Sequence, residues 1–202
     1  MTEALIGAAS ALTDGLGRMP PILDACCGSR MFWFDRDDTR ALFLDKRRET
    51  HTVDTRDGRR QIVVDPDVLG NFTALPFDDE TFSLVVFDPP HTFSGEKGWM
   101  AKKYGTLKGD WREEIRAGFA ECFRVLAPHG TLVFKWNEHR VPVATVLSLT
   151  PEKPLFGQRC GTTAKTHWMV FMKPYAQVER PGAASGARSA RTTGCASRGD
   201  ER

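Results

Sequence analysis

A chain of 202 residues fits one domain and leaves little room for a second. Hydrophobic residues make up 41% and charged residues 27%, an ordinary balance for a chain that fills a sizeable core. The net charge of +2 excludes a global basic field, so any surface for nucleic acid must be local.

Residues 2–16 carry Ala4, Leu5, Ala8, Ala9 and Leu12 at helical spacing, with Gly15 and Gly17 to stop the run. This predicts a helix within an N-terminal segment over residues 1–19. Pro20 and Pro21 then lead into a short apolar run over residues 22–28, which predicts a buried strand ending in a turn. Residues 41–45, 61–65 and 82–88 predict three more strands of the same kind. Trp111, Ile115, Phe119, Cys122, Phe123 and Leu126 form one stripe, the mark of an amphipathic helix over residues 111–126, closed by Pro128 and Gly130. A fifth strand is expected over residues 131–136, a short helix over 141–149 from Pro142, and a last strand over 167–172. Strands alternating with helices predict a mainly parallel sheet covered on both faces, an α/β domain over residues 20–174. Beyond it, residues 175–202 are rich in Gly, Ala, Ser, Thr and Arg and predict a disordered tail. Its arginines either touch phosphates loosely or only solubilise the chain.

In such sheets ligands bind beyond the carboxyl ends of the strands. Four predicted strands end in Asp24, Asp45, Asp65 and Asp88, and that clustering is the first functional signal. Gly28 lets the turn after the first strand bend sharply and approach a ligand, although one glycine fits a plain strand-to-loop turn equally well. Asp45 adds support, because it lies 21 residues after Asp24, where a ribose is held in doubly wound sheets. The alternative is a surface acid preceding Lys46, Arg47 and Arg48. The absence of further glycines argues against a pyrophosphate. S-adenosylmethionine has no phosphate and needs a small turn, a ribose acid and an adenine pocket. Cys26 and Cys27 then serve as small side chains in the turn.

The fourth strand delivers Asp88 to Pro89, Pro90 and His91. Two prolines fix φ at successive positions and remove two N–H donors, which gives a rigid elbow of outward carbonyls. A carboxylate and a carbonyl there accept both protons of an amino group and align its nitrogen with a methyl donor. His91 would stack on the substrate ring. The plainer alternative is a strand-ending Asp-Pro turn.

Taken together, the chain resembles class I S-adenosylmethionine-dependent methyltransferases, most closely the small phage and prophage group labelled DNA methylases, of the N6-adenine type. The resemblance rests on Leu23 to Gly28, Leu44-Asp45, Leu75-Pro76-Phe77 with Phe82, and Leu84 to His91. It continues through Trp99, Lys103-Tyr104-Gly105, Phe134 to Glu138, Pro154 to Gly157 and Thr166-His167-Trp168, and so covers roughly residues 20–174. It implies a Rossmann-like, doubly wound sheet of seven mostly parallel strands with an antiparallel last strand, residues 153–157 and 167–172 forming the final hairpin. It also implies Asp88, Pro89, Pro90 and His91 as the catalytic tetrapeptide, and Asp24, Cys26, Gly28, Asp45, Asn71 and Phe72 as the cofactor contacts. Three departures stand out. His91 replaces the usual Tyr, Phe or Trp; Asn71 replaces an acid; and no stretch is long enough for a target-recognition domain.

Residues 94–111 hold Lys97, Lys102, Lys103 and Lys108 among Trp99, Tyr104 and Trp111, with Gly95, Gly98, Gly105 and Gly109 as hinges. The stretch suits either a mobile flap on nucleic acid or a lid over the cofactor. Lys103, Tyr104, Trp136 and Asn137 are the expected substrate contacts, with Lys135 a further candidate for the same cleft. Asn137 either reads a base edge or caps a turn.

The five cysteines, an odd number without any Cys-x-x-Cys, argue against a disulfide framework or a zinc site and for a reducing compartment. His51, His129, His139 and His167 are scattered, so no metal is expected. No apolar run reaches the roughly 20 residues that span a bilayer, and no signal peptide is evident, so the expected location is cytoplasmic, without a membrane partner. The expected activity is methyl transfer to an amino nitrogen of a nucleic-acid base, adenine or cytosine of DNA first and RNA next. A small-molecule or protein-amide methyltransferase and a non-catalytic nucleoside-binding module remain as alternatives.

Overall fold

The computed structural model describes residue 13 and residues 18–55, 58–93, 99–107, 109–160 and 165–174. The helix expected over residues 2–16, apart from Thr13, the tail over 175–202, and residues 94–98 and 108 of the expected flap lie outside them. Among the described residues the strands run in chain order β1 (Ile22–Asp24), β2 (Ala41–Asp45), β3 (Glu49–Thr55), β4 (Gly58–Val64), β5 (Val68–Leu69) and β6 (Phe82–Phe87). Helices α1 (Trp99–Tyr104) and α2 (Trp111–Val125) follow, then β7 (Leu126–Asn137), helix α3 (Val143–Leu147), β8 (Phe156–Cys160) and β9 (Thr166–Met172).

Seven strands form one sheet in the order β5-β2-β1-β6-β7-β9-β8. The β1, β2, β5, β6 and β7 pairings are parallel, whereas β9 is antiparallel to both β7 and β8. This is the mostly parallel sheet with a reversed last strand that the resemblance implies. The final hairpin begins at Phe156, three residues later than expected.

The strand expected over residues 61–65 belongs elsewhere. Residues 61–64 are the second arm of an antiparallel hairpin, β3 on β4, that stands outside the main sheet. Ile62 and Val64 are buried while Gln61 and Val63 are exposed, so this arm is covered on one face only. The third strand of the sheet is instead the two-residue β5. Asp65 consequently ends no sheet strand; it is exposed and paired with Arg48 at 3.0 Å. Nor do helices alternate with strands from the start. Residues 25–40, between β1 and β2, run through turns, and the hairpin replaces a helix between β2 and β5.

Helix α2 realises the predicted stripe. Asp110 caps its N-terminus, accepting from the N–H groups of Arg112 and Glu113. Ile115, Phe119 and Cys122 are buried, and the Phe119 ring meets Phe134 at 4.7 Å and Phe87 at 5.5 Å. Each such aromatic contributes about 1.5–3 kcal/mol by leaving water. That packing fixes β6 and β7 side by side and so sets where their carboxyl ends emerge.

Candidate active site

The carboxyl ends of β1, β2, β6 and β7 open on one cleft, lined among others by Gly28, Asp45, Phe72, Asp88 and Lys135. Its floor is the turn after β1. The N–H of Ala25 donates to the Val86 carbonyl at 2.9 Å and that of Cys27 to the Leu44 carbonyl at 2.8 Å, so the turn is stitched to both neighbouring strands. Gly28 has φ +51°, the left-handed region that favours glycine, and its N–H donates to Asp45 Oδ2 at 2.9 Å. Asp45 Oδ1 accepts from the N–H of Arg47 at 2.9 Å and from its Nε at 3.2 Å. Arg47 also reaches Glu49 at 3.0 Å and the Lys102 carbonyl at 3.1 Å, linking the end of β2 to α1.

Asp24 lies beneath this turn rather than on the cleft. It is fully buried, accepts from Trp33 Nε1 at 2.8 Å and from the Cys26 N–H at 3.3 Å, and burial pushes its carboxyl up to about 7. Cys26 and Gly28 line the cleft, and burial holds the Cys26 and Cys27 thiols above their ordinary values, which suits filling of space rather than nucleophilic chemistry. Both are free thiols. Phe72 lines the cleft with its ring 5.3 Å from Phe87. Asn71 does not: it is exposed, and its Oδ1 accepts from the Thr73 N–H at 3.1 Å, a turn cap.

Asp88 directly follows β6 and, like Asp45, lines the cleft. Its Oδ2 accepts from Lys135 Nζ at 2.5 Å, while Oδ1 is buried without a hydrogen-bond partner. Burial raises the Asp88 carboxyl above the ordinary carboxylate range, with the Lys135 charge opposing. Pro90 lines the cleft and Pro89 is buried behind it. The His91 ring is held back from the cleft, 5.9 Å from Tyr104 and 6.2 Å from Trp136, and burial lowers its pKa. Lys103 and Tyr104, on α1, also line the cleft.

Two expected substrate contacts turn elsewhere. Trp136 is fully buried and donates through Nε1 to the Val141 carbonyl at 3.0 Å. Asn137 donates to Thr166 Oγ1 at 3.0 Å and accepts from the His139 N–H at 3.0 Å, the turn-capping alternative. Strand alternation is the reason: Phe134 and Trp136 face the core, and Lys135 between them faces the cleft. Met31 and Phe32 also line the cleft without having been singled out in the sequence. The run Met31-Phe32-Trp33-Phe34 directly after the glycine turn was the available signal. Among the described residues, no group of three or more His, Cys, Asp and Glu side chains could hold a metal ion, and no helix is long and apolar enough to cross a membrane.

No protein-family model matches the chain, and no curated protein is significantly similar to it. Several solved structures align with it. The N-methyltransferase NodS from Bradyrhizobium japonicum WM9 aligns with a TM-score of 0.49 at 12% identity, over 85% of this chain and 93% of NodS. A TehB-like SAM-dependent methyltransferase from Corynebacterium glutamicum gives 0.47 at 18%, over 84% and 85%. The 1,6-didemethyltoxoflavin-N1-methyltransferase of Burkholderia thailandensis, solved with S-adenosylhomocysteine, gives 0.45 at 16%, over 86% and 79%. At these scores the likeness carries no weight of its own, and the fold stands on the strand pairings given above.

Proposed function

We propose that the protein is an S-adenosylmethionine-dependent methyltransferase acting on an amino nitrogen, with an exocyclic amine of a nucleic-acid base as the substrate class. One observation carries the reading: Asp88, with an unpartnered buried oxygen, lines the same cleft as the Gly28–Asp45 turn. The residues present fit the cofactor. Asp45 would take the ribose hydroxyls, the side-chain-free Gly28 would let the ligand approach the backbone, and Phe72 would pack on the adenine. The cofactor supplies an electrophilic methyl on a sulfonium sulfur. Asp88 Oδ1 would accept an amine N–H, drawing the nitrogen lone pair out of the ring toward the methyl. Catalysis of this kind is mostly positioning and electrostatics.

Lys46, Arg47 and Lys103 around the cleft supply local positive charge, and Phe32 and Tyr104 offer ring faces, in support of a nucleic-acid substrate. The base would have to enter from a single strand or be flipped out of a duplex. A small-molecule or protein-amide substrate is favoured by a different observation, the withdrawal of His91 and Trp136 from the cleft, which leaves less ring surface for stacking. Transfer of labelled methyl to DNA, RNA, protein and small-molecule pools side by side tests the two. Label in DNA or RNA supports the first, label in protein or small molecules supports the second, and label in none of them overturns both.

A further inference from the structure

We infer that Lys135 is a positioning residue for Asp88: it engages Oδ2, brings a countercharge to the buried carboxyl, and leaves Oδ1 free for the acceptor amine. The inference rests on the methyl-transfer reading for its consequence in catalysis, but the arrangement itself is independent of it. Lys135 Nζ lies 2.5 Å from Asp88 Oδ2, and the two side chains are 19% and 14% exposed. A buried carboxylate without a countercharge takes up a proton, which would turn Asp88 from an acceptor of two lone-pair-rich oxygens into a partial donor.

The position of Lys135 is set by three elements. Strand alternation on β7 turns it out of the core. Trp168 stands directly opposite in the β7–β9 register, and its ring centre is 5.5 Å from Nζ. On the other side the Phe32 ring is 5.6 Å from Nζ, and Phe32 meets Trp168 edge-on at 5.5 Å. Two rings at such distances attract an ammonium and exclude water from it. The lysine is therefore walled in, and its strongest partner is the one carboxylate that the elbow presents. The other titratable groups near Asp88 are His91, two residues beyond the elbow's first proline, and Asp24 and Cys26 at the end of β1. Burial disfavours a charge on His91, and Asp24 adds negative charge when ionised, so neither substitutes for Lys135.

The test uses the full chain with Lys135→Met, which removes charge and donor, and Lys135→Gln, which keeps a donor without charge. Asp88 is followed in protein carrying ¹³C in its aspartate carboxyls, with the resonance assigned through Asp88→Asn. Its titration midpoint should rise by about one pH unit or more in Lys135→Met, because an opposite charge at this distance depresses a carboxyl by that much. The acid limb of kcat should move to higher pH by the same amount, and kcat at neutral pH should fall on the order of 10²-fold. KM for the cofactor should change less than twofold, and Lys135→Gln should fall between parent and Met. A lysine with only a packing role would lower thermal stability and leave both midpoint and acid limb in place, and that result in the two variants overturns the inference. If Lys135→Met does not fold, Lys135→Gln decides. If the parent methylates nothing, the methyltransferase reading fails, while the carboxyl titration still decides whether Lys135 controls Asp88.

Discussion

The backbone N–H of Gly28 donates to Asp45 Oδ2 at 2.9 Å, joining the turn after β1 to the end of β2. The same carboxylate takes the N–H of Arg47 on its other oxygen, so it is oriented from both sides before any ligand arrives. An acid held this way can accept ribose hydroxyls with little further ordering. Asp45→Ala should therefore weaken S-adenosylmethionine binding by about 10–100-fold, the equivalent of a charged hydrogen bond or two. Calorimetric titration of parent and variant measures it, with Asp45→Asn as the control that retains the shape. Unchanged affinity in the Ala variant contradicts the ribose assignment.

Asp24 makes stability depend on pH in a stated direction. Its carboxyl is raised from the ordinary value of 3.8 to about 7, chiefly by burial. A group raised in the folded state favours folding while protonated. Its contribution is complete below the unfolded value and is lost as pH climbs through the folded one. Between pH 4 and pH 8 this component of stability should decline. In Asp24→Asn it is absent, so the fall in Tm between pH 5 and pH 8 should be smaller than in the parent. Scanning calorimetry at the two pH values checks this, and an equal or larger fall in the variant refutes the assignment.

Gly118 sits on the face of α2 that meets the core. A Cβ built there would lie 2.6 Å from the Phe87 ring and 2.8 Å from the Phe72 ring. Replacing a helical glycine by alanine gains about 1 kcal/mol in helix propensity. Overpacking of this severity costs about 1–3 kcal/mol, so the second effect wins. Gly118→Ala should lower Tm by a few degrees. Because Phe72 lines the cleft, cofactor affinity should fall with it. A rise in Tm would mean that the two rings move aside freely.

Where side chains follow the period of a strand or helix, the sequence was a reliable guide. Ala41 to Asp45 reads as a doubly covered strand and is buried at every position. The stripe from Trp111 gives α2 with its cap. Residues 61–65 misled because an apolar run of three cannot distinguish a central strand from one arm of a hairpin. The telling features were Thr50, Thr52, Val53 and Thr55 before Asp57-Gly58, which together read as a β-branched arm and its turn. At the site, Asp45, Gly28, Asp88 and Pro90 were legible because each ends a strand or turn. Trp136 and Lys135 were not ranked correctly, since deciding between neighbours on one strand requires knowing which face meets the core. Trp33 was illegible for another reason: its bond to Asp24 comes from an irregular loop with no period to read.

The measurement that bears most directly on the central claim is methyl transfer by parent and Asp88→Ala under saturating S-adenosylmethionine, with cofactor binding followed in parallel by calorimetry. Labelled methyl should pass from the parent to an amine-bearing acceptor. In Asp88→Ala the rate should fall by about 10²–10³, some 2.7–4 kcal/mol of lost stabilisation. Cofactor affinity should stay within a few-fold, since the Gly28–Asp45 turn is intact. Asp88→Asn should retain part of the activity, its amide oxygen still accepting one hydrogen bond. Full turnover in Asp88→Ala would contradict the account and leave only a nucleoside-binding cleft.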